Sequence, residues 1–227
     1  MPKAYVLLSG GVDSSTALAF ANHDFGGRVA AVSVNYGQRH QKEIEQAEKV
    51  ARHFENQFIV RDITGFIQKG GLTDADLDIP PVGYDELPHG VSPTYVPFRN
   101  GTLLSLIAGM AAVDPEAEAV YCGVHAEDAE NWAYPDCTPE FMGGMANAIY
   151  IGTYHKVRLY TPLIFMRKNE IVAAGQYLGV PWKDTWSCYE GGTFHCGICP
   201  TCRARRAAFA GAGVIDPTVY AAPLSGE

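Results

Sequence analysis

Three things are scarce in this 227-residue chain, and each scarcity excludes something. No window approaches the roughly 18 consecutive apolar residues that a membrane helix needs. The opening MPKAYVLLSGG runs from one lysine into an apolar stretch too short for a signal peptide, so a cytosolic location is expected. Positive charge is also sparse: 17 Lys and Arg stand against 25 Asp and Glu, for a formal net charge of −8. A stable nucleic-acid complex needs many cations facing phosphates, so any nucleotide bound here is expected to be small. Internal repeats and low-complexity tracts are absent. A folded chain is expected, because 47% hydrophobic residues over this length can bury a substantial core in one main domain with a small appendage.

The first 70 residues alternate short apolar β-rich runs with helical periodicity, the pattern of an α/β domain with a parallel sheet. AYVLL (residues 4–8) predicts a buried first strand, followed by a Gly-rich turn and a helix over 14–22. RVAAVSVNY and QFIVRDI predict the second and third strands. Between them Ile44, Ala47, Ala51 and Phe54 share one helical face. From 64 to 97 glycines and prolines break any regular element, as in a lid or binding loop or a partly disordered segment. Beyond it the pattern predicts a helix over 101–112, a strand in AEAVYCGVH, a helix over 139–149, a strand in VRLYTPL and an amphipathic helix marked by Ile171, Ala174 and Leu178. From Pro181 periodicity is weak and Cys, Gly and Arg are frequent. The expected division is therefore a nucleotide-binding domain over 1–180 and a metal-binding module over 181–227.

Ser9, Gly10, Gly11, Val12, Asp13, Ser14 and Ser15 spell SGGVDSS directly after the first strand. Adjacent glycines admit an anion close to the backbone, and successive N–H groups, serine hydroxyls and a helix N-terminus direct partial positive charge at it. A plain glycine turn with an Asp cap would read the same way at lower resolution of the motif. No GxxxxGK[ST] is present, so the lysine that serves terminal phosphate transfer is missing. The heptapeptide is similar to the PP-loop of the N-type ATP pyrophosphatases, which implies a doubly wound α/β fold and cleavage of ATP between the α and β phosphates.

Of six cysteines, Cys188, Cys196, Cys199 and Cys202 are spaced C-x7-C-x2-C-x2-C. In a chain without an export signal this spacing reads as a metal site before it reads as disulfides. Four thiolates leave no open position, so the ion is expected to be structural zinc, with an iron–sulfur cluster as the alternative. Cys122, in a strand, reads as a buried small hydrophobe. Cys137, in the loop YPDC, keeps a possible functional role.

Gln38 and Arg39 follow the second strand at the edge where open α/β sheets bind ligands, although a solvated helix start explains them equally. Arg99 offers a planar fork to a carboxylate or phosphate and Asn100 suits a purine edge. Asp136 and Glu140 sit at a helix start, where they could serve a ligand or the helix dipole. Lys168 and Asp184 read as solvated charges.

Taken in order, SGGVDSS, NYGQRH, VPFRNG, YPDC-x-PEF, TPL with MRKNEI, SCY, CGICPTC and DPTVY resemble the 7-cyano-7-deazaguanine synthase family over nearly the whole chain. That resemblance implies conversion of 7-carboxy-7-deazaguanine, ammonia and Mg-ATP to the nitrile through an adenylated acid and an amide. It implies pyrophosphate at the Ser9–Ser15 loop with Gln38 and Arg39 nearby. Asp13, Arg99, Asn100 and Asp136 would be catalytic or substrate-contacting, Cys188 to Cys202 would hold zinc, and the chain would form a homodimer.

Three positions depart from the family's usual VPGRN, YPDCRPEF and CGxCDxC: Phe98, Thr138 and Pro200 replace glycine, arginine and aspartate. A variant that stops at the amide, a tRNA-modifying PP-loop enzyme and a nucleotide sensor without turnover are the alternatives.

Overall fold

The computed structural model describes residues 1–37, 42–67, 70–74 and 90–221. Five parallel strands form one sheet in the order β3-β2-β1-β4-β5. These are β1 (Ala4–Leu7), β2 (Val29–Asn35), β3 (Gln57–Asp62), β4 (Ala119–Tyr121) and β5 (Arg158–Tyr160). The two central strands β1 and β2 read as continuous apolar runs because both faces of the sheet are covered.

The alternation of side chains divides those runs between two cores. Ala4, Val6, Val29 and Ala31 pack with Leu18 of α1 (Val12–Phe25) and with Val50 and Ala51 of α2 (Lys42–His53). Tyr5, Ala30 and Val32 face the opposite way. They pack against Leu104 and Ile107 of α3 (Arg99–Val113) and Met142 and Ile149 of α5 (Pro139–Gly152). A one-turn α4 (Ala126–Ala129) precedes α5. The sheet is therefore doubly wound, as expected. The chain steps outward from β1 to β3, returns to lay β4 on the other side of β1, and so creates a switch point between β1 and β4.

The C-terminal segment differs from its sequence reading. Weak periodicity after Pro181 predicted no long element, yet α7 spans Pro200–Ala212 and packs on α6 (Lys168–Tyr177). Its apolar contacts are few but large: Ala208 and Phe209 join Val12, Leu163, Ile171 and Trp182 in a third core, with the Trp182 and Phe209 rings 5.2 Å apart edge to face. Pro200 begins the helix and Gly213, at φ 65°, ends it. The arginines masked the helix because Arg205 is buried at 1% exposure, paired to Asp216 at 3.2 Å and donating to Thr185 Oγ1 at 2.8 Å. The strands predicted in AEAVYCGVH and VRLYTPL keep only three residues each. Much of the long excursion over 64–97 lies outside the described residues; its described part holds a single 3-10 turn, Gly71–Thr73.

Candidate active site and four-cysteine centre

A cleft of about 1400 Å³ opens at the carboxyl ends of the strands, over the switch point. The loop after β1 forms one wall. Gly10 takes φ 80°, and a Cβ there would lie 2.7 Å from both Glu43 O and Ala47 N, so only glycine lets α2 close against the loop. Gly11 is extended and leads directly into the N-terminus of α1. The Ser9 and Ser14 hydroxyls lie 3.0 Å apart, and the Ser9 N–H donates to Ser14 Oγ at 3.1 Å, which holds the loop curved. Ser9, Gly11, Val12, Asp13 and Ser14 line the cleft. Gly10 faces α2, and Ser15 is fully buried behind the loop with its hydroxyl unpartnered among the described residues. From β4, Gly123 approaches so closely that a Cβ would meet Asp13 C and Ser14 N at 2.8 Å.

Asp13 does not stand alone. Lys168 Nζ donates to its Oδ2 at 2.5 Å, and His125 Nε2 lies 3.8 Å from Oδ1 and 3.3 Å from Asp128 Oδ2. Burial pushes the Asp13 carboxyl up, but the Lys168 and His125 charges outweigh it and hold it below the usual carboxylate range. Burial likewise opposes the Lys168 charge, and Asp13 with Asp128 more than restores it, leaving the ammonium above its ordinary value. Lys168 is thus no solvated charge, and the sequence reading is corrected here. It opens α6 at a helix N-terminus, where the dipole disfavours a cation. That local mismatch is the signal that could have flagged it. His125, 1% exposed, was not singled out at all.

The opposite wall carries Arg99, which donates to the Tyr36 hydroxyl at 3.5 Å and to Asn100 Oδ1 at 3.2 Å. Burial opposes the guanidinium, and the fields of Tyr36, Cys137 and Asp136 keep it firmly charged. Asn100 is buried; its Nδ2 donates to Cys137 Sγ at 3.2 Å and its backbone N–H donates to Asp136 Oδ2 at 2.9 Å. Asp136 therefore holds the start of α3, at 3% exposure, and burial raises its carboxyl despite the Asn100 and Arg99 contacts. Glu140 is exposed. Burial drives the Cys122 thiol up to about 11 and the Cys137 thiol higher still, so neither is an ionised nucleophile near neutrality. Gln38 and Arg39 lie outside the described residues.

Cys188, Cys196, Cys199 and Cys202 converge with their sulfur atoms within 4.8 Å of one another. The Cys196 and Cys202 sulfurs are 3.9 Å apart, close to the edge of about 3.8 Å that metal–sulfur bonds of ~2.3 Å give a tetrahedron. Cys188 Sγ accepts the Cys196 N–H and Cys196 Sγ accepts the Cys199 N–H, each at 3.3 Å, as thiolate ligands require. The donor set fits a closed four-sulfur metal site. His195 stays outside it and accepts from the Ser187 N–H at 3.1 Å. Trp186 connects this centre to the other: its N–H donates to Gly10 O and its ring Nε1 donates to Cys188 O, both at 2.8 Å.

A glycine-rich loop without a Walker lysine, set at the switch point of a doubly wound sheet and faced by the half-buried cations Lys168 and Arg99, defines the PP-loop class of nucleotide-binding α/β proteins. Comparison narrows the class. Residues 3–213 match the family model described as "Queuosine biosynthesis protein QueC", and the chain belongs to that family. It is 42% identical to the 7-cyano-7-deazaguanine synthase of Nostoc punctiforme, over 96% of this chain and 100% of that protein. Against the 7-cyano-7-deazaguanine synthase of Methanospirillum hungatei it is 40% identical, over 96% of this chain and 99% of that one. Among solved structures, the U34-tRNA thiolase NcsA from Methanococcus maripaludis is 15% identical with a TM-score of 0.49, covering 79% of this chain and 57% of that one. The NH3-dependent NAD synthetase from Campylobacter jejuni is 16% identical with a TM-score of 0.47, covering 78% and 64%. No helix among the described residues is long and apolar enough to cross a membrane.

Proposed function

We propose that this chain is a ligase that converts 7-carboxy-7-deazaguanine, ammonia and two molecules of ATP to 7-cyano-7-deazaguanine. The observation that carries the reading is the 42% identity to a synthase of that name across 96% of the chain. A carboxylate is a poor electrophile, so its oxygen first attacks the α-phosphorus of ATP and displaces pyrophosphate. Ammonia then displaces AMP to give the amide. The amide oxygen attacks a second ATP, and loss of AMP with two protons leaves the nitrile.

In this reading the N–H groups of the Ser9–Ser15 loop and the α1 N-terminus receive pyrophosphate, and Lys168 adds a charge fixed in place by Asp13. Magnesium, when bound, neutralises part of the phosphate charge. Arg99 faces the carboxylate to be activated, Asn100 orients Arg99, and Asp136 positions both from the base of α3. The work of these residues is placement and fixed charge. Residues 181–227 form the zinc-binding module that buttresses the loop, and the active species is a cytosolic homodimer.

Mass spectrometry of products after incubation with 7-carboxy-7-deazaguanine, ammonium and Mg-ATP, alongside a pyrophosphate assay, tests the proposal. Nitrile with AMP and pyrophosphate is expected. Amide as the sole product would restrict the chain to the first half of the reaction, and no turnover would reject the substrate.

A further inference from the structure

Glu43 has no role in the reaction as derived above, yet it borders the cleft between Tyr36 and Arg99. It lies in the first turn of α2, and the close approach allowed by Gly10 seats its backbone on the anion loop. The helix dipole alone does not account for its placement on the cleft wall, because the exposed Glu45 in the same turn is equally placed to serve it. Among the described residues the Glu43 carboxylate has neither a hydrogen bond nor an ion pair. The described contacts of the nearby Arg99 fork go to Tyr36 and Asn100, so Arg99 reaches Glu43 only through its field. Burial pushes the Glu43 carboxyl up to about 7 and Arg99 pulls it partly back.

Half-buried on the cleft wall, the Glu43 carboxylate is open to a donor carried by a ligand, and a carboxylate is an acceptor-only group with two oxygens side by side. The ring of the proposed substrate carries a ring N–H beside an exocyclic amine, two parallel donors at one edge. Adenine presents an amine beside a bare ring nitrogen, whose lone pair would oppose the second carboxylate oxygen. Glu43 can therefore accept one ring and reject the other.

We infer that Glu43 reads the paired-donor edge of a guanine-like ring and determines which of the two purine-type molecules in the cleft is activated. The inference rests on the function proposed above. Its test compares wild type, Glu43→Gln and Glu43→Asp on 7-carboxy-7-deazaguanine and on the analogue lacking the 2-amino group, by pyrophosphate release. Wild type should favour the amino-bearing acid by about 10–100-fold in kcat/KM, the worth of one hydrogen bond to a charged group. Glu43→Gln should erase most of that preference through the KM of the acid, while the KM for ATP stays near its wild-type value. Glu43→Asp keeps the charge and should keep the preference at a higher KM. Equal losses on both acids in Glu43→Gln would overturn the inference and leave the proposed function standing. Wild-type protein inactive on both acids would overturn the proposed function and this assignment with it.

Discussion

Phe98 sits at φ 56°, immediately before α3, 55% exposed as a residue and with its ring edge to face with Phe141 at 5.5 Å. The left-handed conformation costs a residue with a Cβ about 1–2 kcal/mol, which explains why a glycine suits this place. The ring lies over Gly101, where any Cβ would fall 2.6 Å from it. Thr138 and Pro200, the other two departures, have local duties: Thr138 Oγ1 caps α5 by accepting the Phe141 N–H at 3.2 Å, and Pro200 begins α7. Phe98→Gly and Phe98→Ala both lose the contact with Phe141, and only glycine removes the backbone strain. The glycine variant should therefore unfold at higher urea than the alanine variant, with a difference of about 1 kcal/mol. Identical midpoints would show that the backbone at 98 is unstrained.

At the scale of elements, the segment between α6 and α7 joins two sites that sequence reading treats as separate. Trp186 is 6% exposed and holds Gly10 O through its backbone and Cys188 O through its ring. Lys42, at the start of α2, lies 4.0 Å from the centre of the Trp186 ring and donates to Gly192 O and Thr193 O within the cysteine loop. A metal held by the four cysteines would therefore restrain the Ser9–Ser15 loop on the other side. Trp186→Phe leaves the Cys188 carbonyl without its buried donor, a loss of about 1–3 kcal/mol. Metal should pass faster to a chromophoric chelator, and calorimetry should show weaker ATP binding in the same variant. Faster metal loss with unchanged ATP affinity would separate the two sites. Stripping the metal from wild type should weaken ATP binding in the same direction.

Across the whole molecule, the strand order determines which residues meet. Lys168 and Asp13 are 155 positions apart, and they pair because β4 lies beside β1 and α6 packs on α1. Gly123 is a point of close approach in that arrangement. Gly123→Ala would press a methyl carbon against the backbone of Asp13 and Ser14, displacing the loop at a strain of about 1–3 kcal/mol. The expected result is a protein with unchanged far-ultraviolet circular dichroism and a raised KM for ATP. An unaltered KM would mean that the loop tolerates the shift.

What the sequence determined by itself is whatever short-range pattern can encode. Apolar runs and alternating faces specified an α/β domain with a parallel sheet, the likeness of SGGVDSS to a PP-loop implied its double winding, and two-residue gaps specified a four-cysteine centre, because strand, turn and ligand geometry each depend on near neighbours. Asn100 and Asp136 were also visible as polar residues at helix starts, although the bond between them was not. The tertiary structure decided the rest. It turned Lys168 from a surface charge into a partner of Asp13, buried His125 beside them, brought Glu43 and Tyr36 to the wall with Arg99, and built α7 around a buried arginine. Those outcomes depend on which strands lie side by side and which helices cover them, and a pairwise distance across 155 residues leaves no periodic trace in the chain.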